Sequence, residues 1–286
     1  MVATVSPDVT LSLAELSPGE ECVACGVTAD ETLWLTAPKQ AAPTSTAQPL
    51  RLYSFRSGAA RCVGQLKARQ HPHYVQRVAE GYLFVAARVE GNRPNAWLTD
   101  SSLRTIRRFS LGDGIADVRV AASGGIWVSY IDEGIYGGGM GAQGLSLYDQ
   151  NGHKLWDYDA NEAGTDAIDE VYAFNLAAEE EAWVYFYSQF SIVRLRKGKA
   201  TVWKTRVQGA RALAVRKHEA LLLGDYDDPL AVRLLDLPRG GGHAKVRRKT
   251  SLRLSSSVVD DGLRSYASGS RIAVFARDTT WIVDRW

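Results

Sequence analysis

Short hydrophobic stretches, bounded by turn residues, recur along the whole chain. Six of them are rich in aromatic and β-branched residues: TLWLTA, YLFVAAR, GIWVSY, AWVYFY, ALLLGD and RIAVFA. Such runs are typical of buried β-strands. No segment repeats hydrophobic residues at intervals of three and four over two or more turns, so the pattern predicts no long amphipathic helix.

These six runs belong to a longer repeat. Each is preceded by a strand of small residues: ECVACGV, YVQRVA, DVRVAA, YAFNLAA, ARALAVR and LRSYAS. Each of the first five is followed by two more predicted strands, as in GLSLYD and HKLWDY. The spacing of roughly 40 to 55 residues matches the four-stranded blade of a β-propeller. The sequence therefore predicts a single all-β domain over residues 1–286, a six-bladed propeller with four-stranded blades.

The two ends of the chain complement each other in this scheme. The last repeat stops at Trp286 one strand short, whereas a surplus strand, VTLSLAEL (residues 9–16), precedes the first repeat. Because an unpaired edge strand invites aggregation, we expect residues 9–16 to pair with residues 279–284 and complete the last blade. A seventh blade has no room, since the longest connections, residues 37–49 and 160–169, are too short for four strands. The first of these is predicted to be a loop between the second and third strands of one blade.

Composition agrees with a folded globular protein. Of the 286 residues 45% are hydrophobic, and the 34 basic and 32 acidic side chains give a net charge of +2. A charge this small gives no reason to expect nucleic acid or an anionic membrane as a partner. No hydrophobic run approaches the roughly 20 residues that span a bilayer. The first residues lack a basic segment followed by a hydrophobic one, so a cytoplasmic location is expected.

Three cysteines occur, Cys22, Cys25 and Cys62, which are too few for a disulfide-built scaffold. The CxxC spacing of the first two is found in redox and zinc sites. A zinc site would require a second pair of ligands, and a redox site would require a helix that begins at the motif. Side chains three residues apart on a regular strand point to opposite faces. We therefore expect Cys22 and Cys25 to be unlinked, free of metal and separated by their strand.

One repeat carries a resemblance to a known family. The segment LSLYDQNGHKLWDY resembles the quinoprotein-like propeller repeat, in which an Asp, a turn with Gly and a Leu-Trp pair close one blade. The other repeats replace or shift the Trp, so no quinone cofactor is expected, and none pairs Gly-His with Trp-Asp in the way that marks WD40 blades. The whole chain resembles the broad group of six-bladed propellers that contains lactonase-like and streptogramin-lyase-like enzymes. A resemblance of fold does not transfer an activity.

In a propeller, the loops that join second to third strands and the loops that lead into the next blade lie on one face, around the central channel. The predicted loops of these two kinds carry many carboxylates: Asp117, Asp132, Glu133, Asp169, Glu170, Asp225, Asp227, Asp228, Asp260 and Asp261. Basic residues are predicted instead on third and fourth strands or their hairpins: Arg194, Arg196, Lys197, Lys199, Lys245, Arg247, Arg248 and Lys249. The sequence thus predicts an acidic channel face and a basic periphery.

The loop after GIWVSY is the most distinctive of these loops. Its sequence, IDEGIYGGGMGAQ, places Asp132 and Glu133 before a train of glycines, which would let a long loop fold back with positive φ. The loop that leads into the next blade carries Asp169, Glu170 and Tyr172. Because the two blades are neighbours, we expect these residues to form one wall of the functional site. Four carboxylates close together favour a bound cation, since ionising all of them otherwise costs free energy.

Tyrosines are expected beside the same loops, at Tyr130, Tyr136, Tyr172, Tyr187 and Tyr226. Tyrosine and carboxylate together suit a cationic ligand, through hydrogen bonds and cation–π attraction. The leading hypothesis is a non-catalytic binding propeller whose channel face holds a cationic small molecule, a basic peptide or a protein partner. The ligand-binding residues would be Asp132, Asp169, Tyr130, Tyr172, Tyr187, Asp225, Tyr226 and Asp261.

A metal-assisted hydrolase or lyase is the alternative hypothesis. Carboxylates on the rim would bind Ca²⁺ or Mg²⁺, and Glu133, Glu170 or His73 would act as acid or base. His73 and its neighbour His71 flank Pro72 in an extended loop. No EF-hand spacing, GxSxG elbow, HExxH helix or phosphate-binding glycine loop points to a specific enzyme class. Structural roles are also open: the carboxylates would only cap turns, the tyrosines would only pack blade against blade, and the chain would be an assembly module.

Overall fold

The structure is a computed structural model that describes residues 5–39, 47–89, 93–254, 262–276 and 278–286. In these ranges β-strands predominate, and the three helices have only four or five residues each. The strands form an all-β propeller of antiparallel sheets, as the repeat predicted. Within the described ranges, no helix is long and hydrophobic enough to cross a membrane.

The chain begins with β1 (Val9–Ser12) and α1 (Leu13–Leu16), and then forms an eight-stranded sheet. This sheet consists of two antiparallel four-stranded halves, joined by one parallel pairing in which Cys25 of the first half is the partner of Tyr74 in the second. Its strands are β2 (Glu20–Val27), β3 (Glu31–Pro38), β4 (Gln48–Arg56), β5 (Ala59–Ala68), β6 (Tyr74–Val78), β7 (Gly81–Val85), β8 (Ala96–Asp100) and β9 (Thr105–Phe109).

Three further sheets follow in chain order, the first from β10 to β13, the second from β14 to β17 and the third from β18, β19, β20 and β22. The short β21 adds to the second of these sheets, parallel to β17. The elements are β10 (Ile115–Val120), β11 (Ile126–Tyr130), α2 (Asp132–Tyr136), β12 (Leu145–Tyr148), β13 (Lys154–Asp157), α3 (Ala160–Ala163), β14 (Glu170–Ala178), β15 (Glu181–Tyr187), β16 (Ser191–Arg196), β17 (Lys199–Lys204), β18 (Ala212–Arg216), β19 (Glu219–Leu223), β20 (Ala231–Asp236), β21 (Gly242–His243) and β22 (Lys245–Ser251).

The last sheet brings the two ends of the chain together. It contains β23 (Arg264–Ser268), β24 (Arg271–Phe275) and β25 (Thr279–Val283), and β1 pairs antiparallel with β25. The carboxylate of Asp8 accepts hydrogen bonds from the backbone N–H groups of Asp284 and Arg285, at 2.7 and 3.0 Å. Residues 13–16 were expected to continue the strand, but they form α1 instead.

The hydrophobic runs that predicted second strands correspond to β3, β7, β11, β15, β19 and β24. Most of their side chains are buried on both faces, because each sheet packs against a neighbour on either side. The outer strands β5 and β9 are largely exposed. Between β15 and β17, the rings of Trp183 and Trp203 stack with centroids 5.3 Å apart, and the guanidinium of Arg194 lies over both. Because both faces of the second strands are buried, the sequences of these strands are continuously hydrophobic and do not alternate.

Buried polar side chains connect neighbouring sheets. The amide of Asn175, on β14, donates hydrogen bonds to the carbonyls of Leu213 and Gly269 and accepts one from the N–H of Gly269, each at 2.8 Å. The buried carboxylate of Glu31 receives two hydrogen bonds of 2.6 Å from Arg77. Burial acts to raise the pKa of Glu31, but the contacts with Arg77 and Ser54 outweigh it, so the pKa is lowered. Each of these buried groups is satisfied, as stability requires.

Strand β2 departs from regular alternation near its start. Its register on β3 shifts between Cys22 and Ala24, which marks a β-bulge. The extra residue brings Cys22 and Cys25 to the same side of the strand, where both pack in one cluster with Phe275 and Tyr266. The expectation that the two thiols point to opposite faces is therefore wrong, because the bulge resets the two-residue period. All three cysteines are free in the structure, and the expectation that the pair is unlinked and free of metal stays a prediction.

Deleting residues 1–16 should cause aggregation or loss of the cooperative thermal transition. The deletion removes β1, and so leaves the edge of β25 unpaired and uncovers the neighbourhood of Trp281 and Ile282, which are fully buried. Thermal unfolding by circular dichroism and size-exclusion chromatography would measure the effect. As a milder variant, Asp8→Ala should lose about 1–3 kcal/mol of unfolding free energy and keep its cooperativity. A truncated protein that melts like the full-length chain would show that β1 is dispensable.

Candidate functional site

Strands at the centre of the molecule surround a cavity of about 300 Å³, called here the channel cavity. Its wall is formed by β6, β10, β14 and β23 and by the start of β18. Its polar and aromatic lining side chains include Tyr74, Asp117, Glu170, Tyr172, Arg211, Arg264 and Tyr266. The cavity therefore has a polar and aromatic lining that contains charges of both signs.

Asp132 and Glu133 begin a helix, where the sequence predicted an irregular loop. Helix α2 follows β11 directly, and both carboxylates lie exposed in its first turn, a position favoured by the helix dipole. The carboxylate of Asp132 accepts a hydrogen bond of 2.9 Å from the N–H of Glu133. The carboxylate of Glu133 lies 3.4 Å from the guanidinium of Arg88, which is also 3.5 Å from Asp113. Glu133 is thus partly neutralised by a cation that sequence analysis did not identify.

The glycines of this loop act mainly by allowing close packing. A Cβ atom on Gly134 would lie 2.5 Å from the carbonyl oxygen of Asp113, and one on Gly141 would lie 2.5 Å from the ring of Tyr130. Both distances are shorter than real Cβ atoms tolerate. Neither of these two glycines has a positive φ, whereas Gly138 of the same loop has the expected one, at 67°. Gly134 and Gly141 fix the position of α2 against the loop that precedes β10.

The loop that contains α2 meets the loop that leads into β14, as expected. The hydroxyl of Tyr136 donates a hydrogen bond of 2.5 Å to the carboxylate of Asp169. Burial and the charges of Asp132 and Glu133 raise the pKa of Glu170, while the nearby Arg211 opposes the shift. The four carboxylates predicted to form one wall therefore lie within electrostatic reach of one another.

Tyrosines continue this wall. The ring of Tyr172 stacks on Tyr187 with centroids 6.1 Å apart, and its hydroxyl is 3.2 Å from that of Tyr226. The side chains of Tyr136, Tyr187 and Tyr226 are 70%, 42% and 55% exposed. We call this surface the tyrosine–carboxylate patch, which comprises Asp132, Glu133, Tyr136, Asp169, Glu170, Tyr172, Tyr187 and Tyr226.

Tyr130 does not belong to the patch. It was expected to bind ligand, but its side chain is fully buried. Its hydroxyl donates to the carbonyl of Leu111 at 2.6 Å and is 2.8 Å from the hydroxyl of Tyr148. Burial and the neighbouring Tyr148 raise its pKa well above the ordinary value. Tyr130 is the last residue of β11, and its side chain lies in the core. From there it supports the loop that follows the strand.

Other arginines occupy the inner wall of the channel, whereas the basic residues predicted on third and fourth strands or their hairpins do lie on β16, β17 and β22 and in the turn between the first two. Arg211 and Arg264 line the channel cavity, and Arg119 is buried with its guanidinium 5.3 Å from the ring of Tyr266. The guanidinium of Arg211 lies 4.5 Å from the centroid of Tyr172. The signal was present in the sequence, because Arg119, Arg211 and Arg264 belong to the small-residue strands DVRVAA, ARALAVR and LRSYAS.

Asp117 was expected on the rim, but it lies inside. Its carboxylate is buried at 2.9 Å from the guanidinium of Arg119. Burial raises its pKa to about 6, although Arg119 and a hydrogen bond from the N–H of Val118 act in the opposite direction. Asp117 thus compensates a buried arginine and adds no exposed negative charge to the rim.

The remaining carboxylates of the predicted rim hold local structure where the structure describes them. Asp225 accepts hydrogen bonds from the N–H groups of Asp227 and Asp228 and pairs with Arg233 at 2.9 Å. Asp228 accepts one from the N–H of Leu230. Both oxygens of Asp225 thus have partners in the turn, and its expected role in binding ligand stays a prediction. Asp260 and Asp261, the latter a predicted ligand-binding residue, lie outside the described residues.

The contacts of His73 are with residues other than Glu133 and Glu170, the predicted catalytic carboxylates. Its Nδ1 accepts a hydrogen bond of 3.1 Å from the N–H of Ala87, which places the proton of the neutral ring on Nε2. Burial and the positive charges of Arg264 and His71 lower its pKa. Within the described part of the chain, no contact joins His73 to Glu133 or Glu170. Nor do the described residues contain a group of three or more His, Cys, Asp or Glu side chains arranged to hold a metal ion.

Comparisons with known proteins identify the fold only. No protein-family model and no curated protein match the chain. A chain from the crystal structure of a nidogen/laminin complex superimposes on it with a TM-score of 0.52 and 10% identity, over 82% of this chain and 81% of that chain. The neighbour is a propeller of the LDL-receptor or NHL type. The resemblance to the lactonase-like, streptogramin-lyase-like and quinoprotein-like group stays a prediction.

Glu170→Gln should stabilise the protein near neutral pH. The folded-state pKa of Glu170 is raised, so its ionised form is disfavoured in the fold, and a neutral amide removes that cost. We expect the melting temperature to rise by up to about 2 °C. The difference should disappear below about pH 4, where the carboxylate is protonated in both the folded and the unfolded state. Differential scanning calorimetry across this range, with the exposed Glu180→Gln as control, would test it. A lower melting temperature at neutral pH would show that the contact with Arg211 dominates.

Proposed function

We propose that the protein is a binding propeller whose tyrosine–carboxylate patch holds cationic side chains of a protein partner or peptide. The observation that carries the proposal is the grouping of three exposed tyrosines, Tyr136, Tyr187 and Tyr226, with carboxylates on one rim. Large aromatic side chains are costly to leave in water and are enriched where proteins bind partners. Their hydroxyl groups and ring faces both suit cations.

The charge of the patch favours a cation. The patch has four carboxylates, from Asp132, Glu133, Asp169 and Glu170. Two guanidinium groups lie nearby, those of Arg88 and Arg211, so the six groups together have a net charge of −2. The raised pKa of Glu170 reflects this surplus together with burial. A lysine or arginine side chain would relieve the repulsion. Arg211 already illustrates the geometry available, since its guanidinium lies over the ring of Tyr172.

A protein or peptide fits this site better than a small cation that enters the channel. The exposed groups of the patch lie on the rim, whereas the channel cavity below contains Arg211 and Arg264. A free cation would be repelled by these two guanidiniums as it entered. A cationic side chain presented by a partner would remain on the rim, among the carboxylates. The structural neighbour comes from a complex between two proteins, which agrees with this use of the fold.

The blade count and the closure of the ring belong to the same proposal. We propose six blades, of which the eight-stranded sheet supplies two and each remaining sheet one, with β1 completing the last blade. The pairing of β1 with β25, and the single parallel bridge between the halves of the eight-stranded sheet, support this division. The ring then brings the loops around α2, β14 and β18 to one face, which the contacts within the tyrosine–carboxylate patch require.

The metal-assisted hydrolase or lyase has less support. Such an enzyme would need carboxylates and a histidine that converge on one point. The contacts of His73 instead involve Ala87, Arg264 and His71, while Glu133 contacts Arg88. No specific observation on the described residues favours the enzyme over the binding propeller.

Binding of short basic peptides would test the function. Hexa-lysine and hexa-arginine should bind the full-length chain more tightly than hexa-glutamate in isothermal titration calorimetry, with affinity that falls as salt is added. The double variant Glu133→Gln, Asp169→Asn should weaken binding by about tenfold. Tyr187→Ala should weaken it by a smaller factor, of about three, because one ring face is lost.

The control variant is Glu80→Gln, Glu180→Gln, which makes the same change in net charge. Glu80 and Glu180 lie in the turns from β6 to β7 and from β14 to β15, at the ends of the strands away from the patch. This control variant should bind the basic peptides as tightly as the wild type does. Equal losses in the two double variants would mean that only net charge matters, and no binding of either basic peptide would refute the proposed function.

A further inference from the structure

A groove of about 940 Å³ lies between the two halves of the eight-stranded sheet. One side is formed by the end of β5 and the residues that follow it, and the other by β8, β9 and the loop that precedes β8. Basic side chains line both sides of this groove, and all of them are exposed: Lys67, Arg69, Arg88, Arg93 and Arg108. We call this surface the basic groove.

The lining of the basic groove does not balance this positive charge. Asp113 is the one carboxylate among the described lining residues, against five basic side chains, so the groove has a net charge of +4. Among the described residues, only Arg88 of the five forms ion pairs, at 3.5 Å with Asp113 and at 3.4 Å with Glu133. Glu133 and Glu90, the latter outside the described residues, would together lower the net charge only to +2. The other four basic side chains are therefore available to an anion.

Hydrogen bonds hold part of the groove in place. The amide of Gln70 donates a hydrogen bond of 3.0 Å to the carbonyl of Arg88, and the carboxylate of Asp113 accepts one of 2.7 Å from the N–H of Val89. Both polar groups of the peptide bond between Arg88 and Val89 thus have partners in the lining. A ligand would meet a backbone that is already ordered here, which lowers the entropic cost of binding.

Trp97 supports the wall of the groove and leaves no free face for a ligand ring. Its indole stacks on Phe84 with centroids 5.8 Å apart, and the guanidinium of Arg108 lies 5.5 Å from the centroid of the indole. The side chain of Trp97 is only 3% exposed. Proteins that bind single-stranded nucleic acid offer aromatic faces to the bases, and the described lining of this groove offers none. Its chemistry is therefore that of anion recognition without stacking of bases.

We infer that the basic groove binds a compact soluble polyphosphate, a small molecule with several phosphate groups on one short chain or ring. Four of the five basic side chains are arginines, and a planar guanidinium forms paired hydrogen bonds with phosphate oxygens that an ammonium group cannot form. A phosphate group carries more negative charge than a carboxylate and has three acceptor oxygens. Several linked phosphates would therefore neutralise the groove within a volume that is typical of small-molecule sites.

A soluble ligand fits the groove better than the phosphorylated headgroup of a membrane lipid. Binding to a membrane surface depends on buried hydrophobic area as well as on charge. None of the exposed large hydrophobic side chains in the described part of the chain lines the groove. The groove also lies between the two halves of a sheet, where a small molecule can contact both sides at once.

Arg88 connects the basic groove with the tyrosine–carboxylate patch, because its guanidinium lies beside both Asp113 and Glu133. A polyphosphate would compete with Glu133 for this guanidinium. The single variant Glu133→Gln should therefore tighten polyphosphate binding by about twofold, whereas loss of the same carboxylate is expected to weaken the binding of basic peptides. Because the two responses have opposite signs, either proposal can fail while the other holds.

Isothermal titration calorimetry of the full-length chain with inorganic tripolyphosphate and with inositol hexakisphosphate would test the site. We expect one ligand per chain and an affinity that falls as salt is added. The double variant Arg69→Gln, Arg108→Gln should weaken binding by at least about tenfold. The variant Arg69→Lys, Arg108→Lys keeps the charge but loses the paired hydrogen bonds, and should weaken binding by about threefold. Since both arginines are exposed, we expect these variants to fold, and thermal unfolding would verify it.

The matched control is Arg61→Gln, Arg107→Gln, which makes the same change in net charge. Arg61 lies near the start of β5, and Arg107 precedes Arg108 on β9. Both are exposed, and neither is among the residues that line the groove. This variant should bind both polyphosphates within about twofold of the wild type. Equal losses in the two glutamine double variants would mean that net charge alone attracts the anion, and would overturn the site.

The identity of the ligand is tested with other anions. Citrate, which has carboxylates in place of phosphates, should bind at least about tenfold more weakly than tripolyphosphate. Three results would overturn the polyphosphate proposal: no binding of either polyphosphate, citrate binding as tight as tripolyphosphate, or tighter binding of heparin or of vesicles that contain phosphorylated inositol lipids than of the soluble polyphosphates.

Discussion

The junction between the last sheet and the first is held by Arg264, which reaches from β23 to the carbonyls of Cys22 and Val23 on β2. These hydrogen bonds join residues that are about 240 positions apart in the sequence. Tyr266, on the same strand as Arg264, lines the channel cavity and packs in one cluster with Cys22 and Cys25. At the other edge of the last sheet, β1 pairs with β25, and without β1 that edge would be open.

Charge changes sign between the rim and the interior of the channel. Exposed carboxylates on α2 and half-buried ones at the start of β14 lie on one side of the rim, whereas Arg119, Arg211 and Arg264 lie on or behind the inner wall. Inside, each guanidinium has a compensating partner: a carboxylate for Arg119, a tyrosine ring for Arg211, and carbonyls for Arg264. Outside, the carboxylates outnumber the nearby cations. Under the proposed function, an external cation would therefore bind at the rim and not inside the channel.

Patterns of hydrophobicity predicted the strands, their order and the meeting of the two loops, because a buried sheet imposes its period on the sequence. Departures from the period could not be predicted. The bulge that brings Cys22 and Cys25 to the same side of β2 has no signature in the sequence ECVACG, since both cysteines are compatible with a regular strand. Burial of Tyr130 and Asp117 depends on how far the strands extend before the loops begin. The channel arginines were visible in three small-residue strands, but their position inside the channel follows only from the packing of those strands around the axis.

Tyr130 is buried and is not available to a ligand, but its contacts hold the rim in place. Its hydroxyl bonds to Leu111 and Tyr148, and its ring leaves no room for a side chain at position 141. With Gly134 pressed against the backbone before β10, α2 is fixed at both ends of the loop. In this position Tyr136 bonds Asp169, Glu133 lies beside Arg88, and Asp132 is exposed to solvent. Under the proposed function, a preorganised rim of this kind would bind a partner without the entropic cost of ordering a free loop.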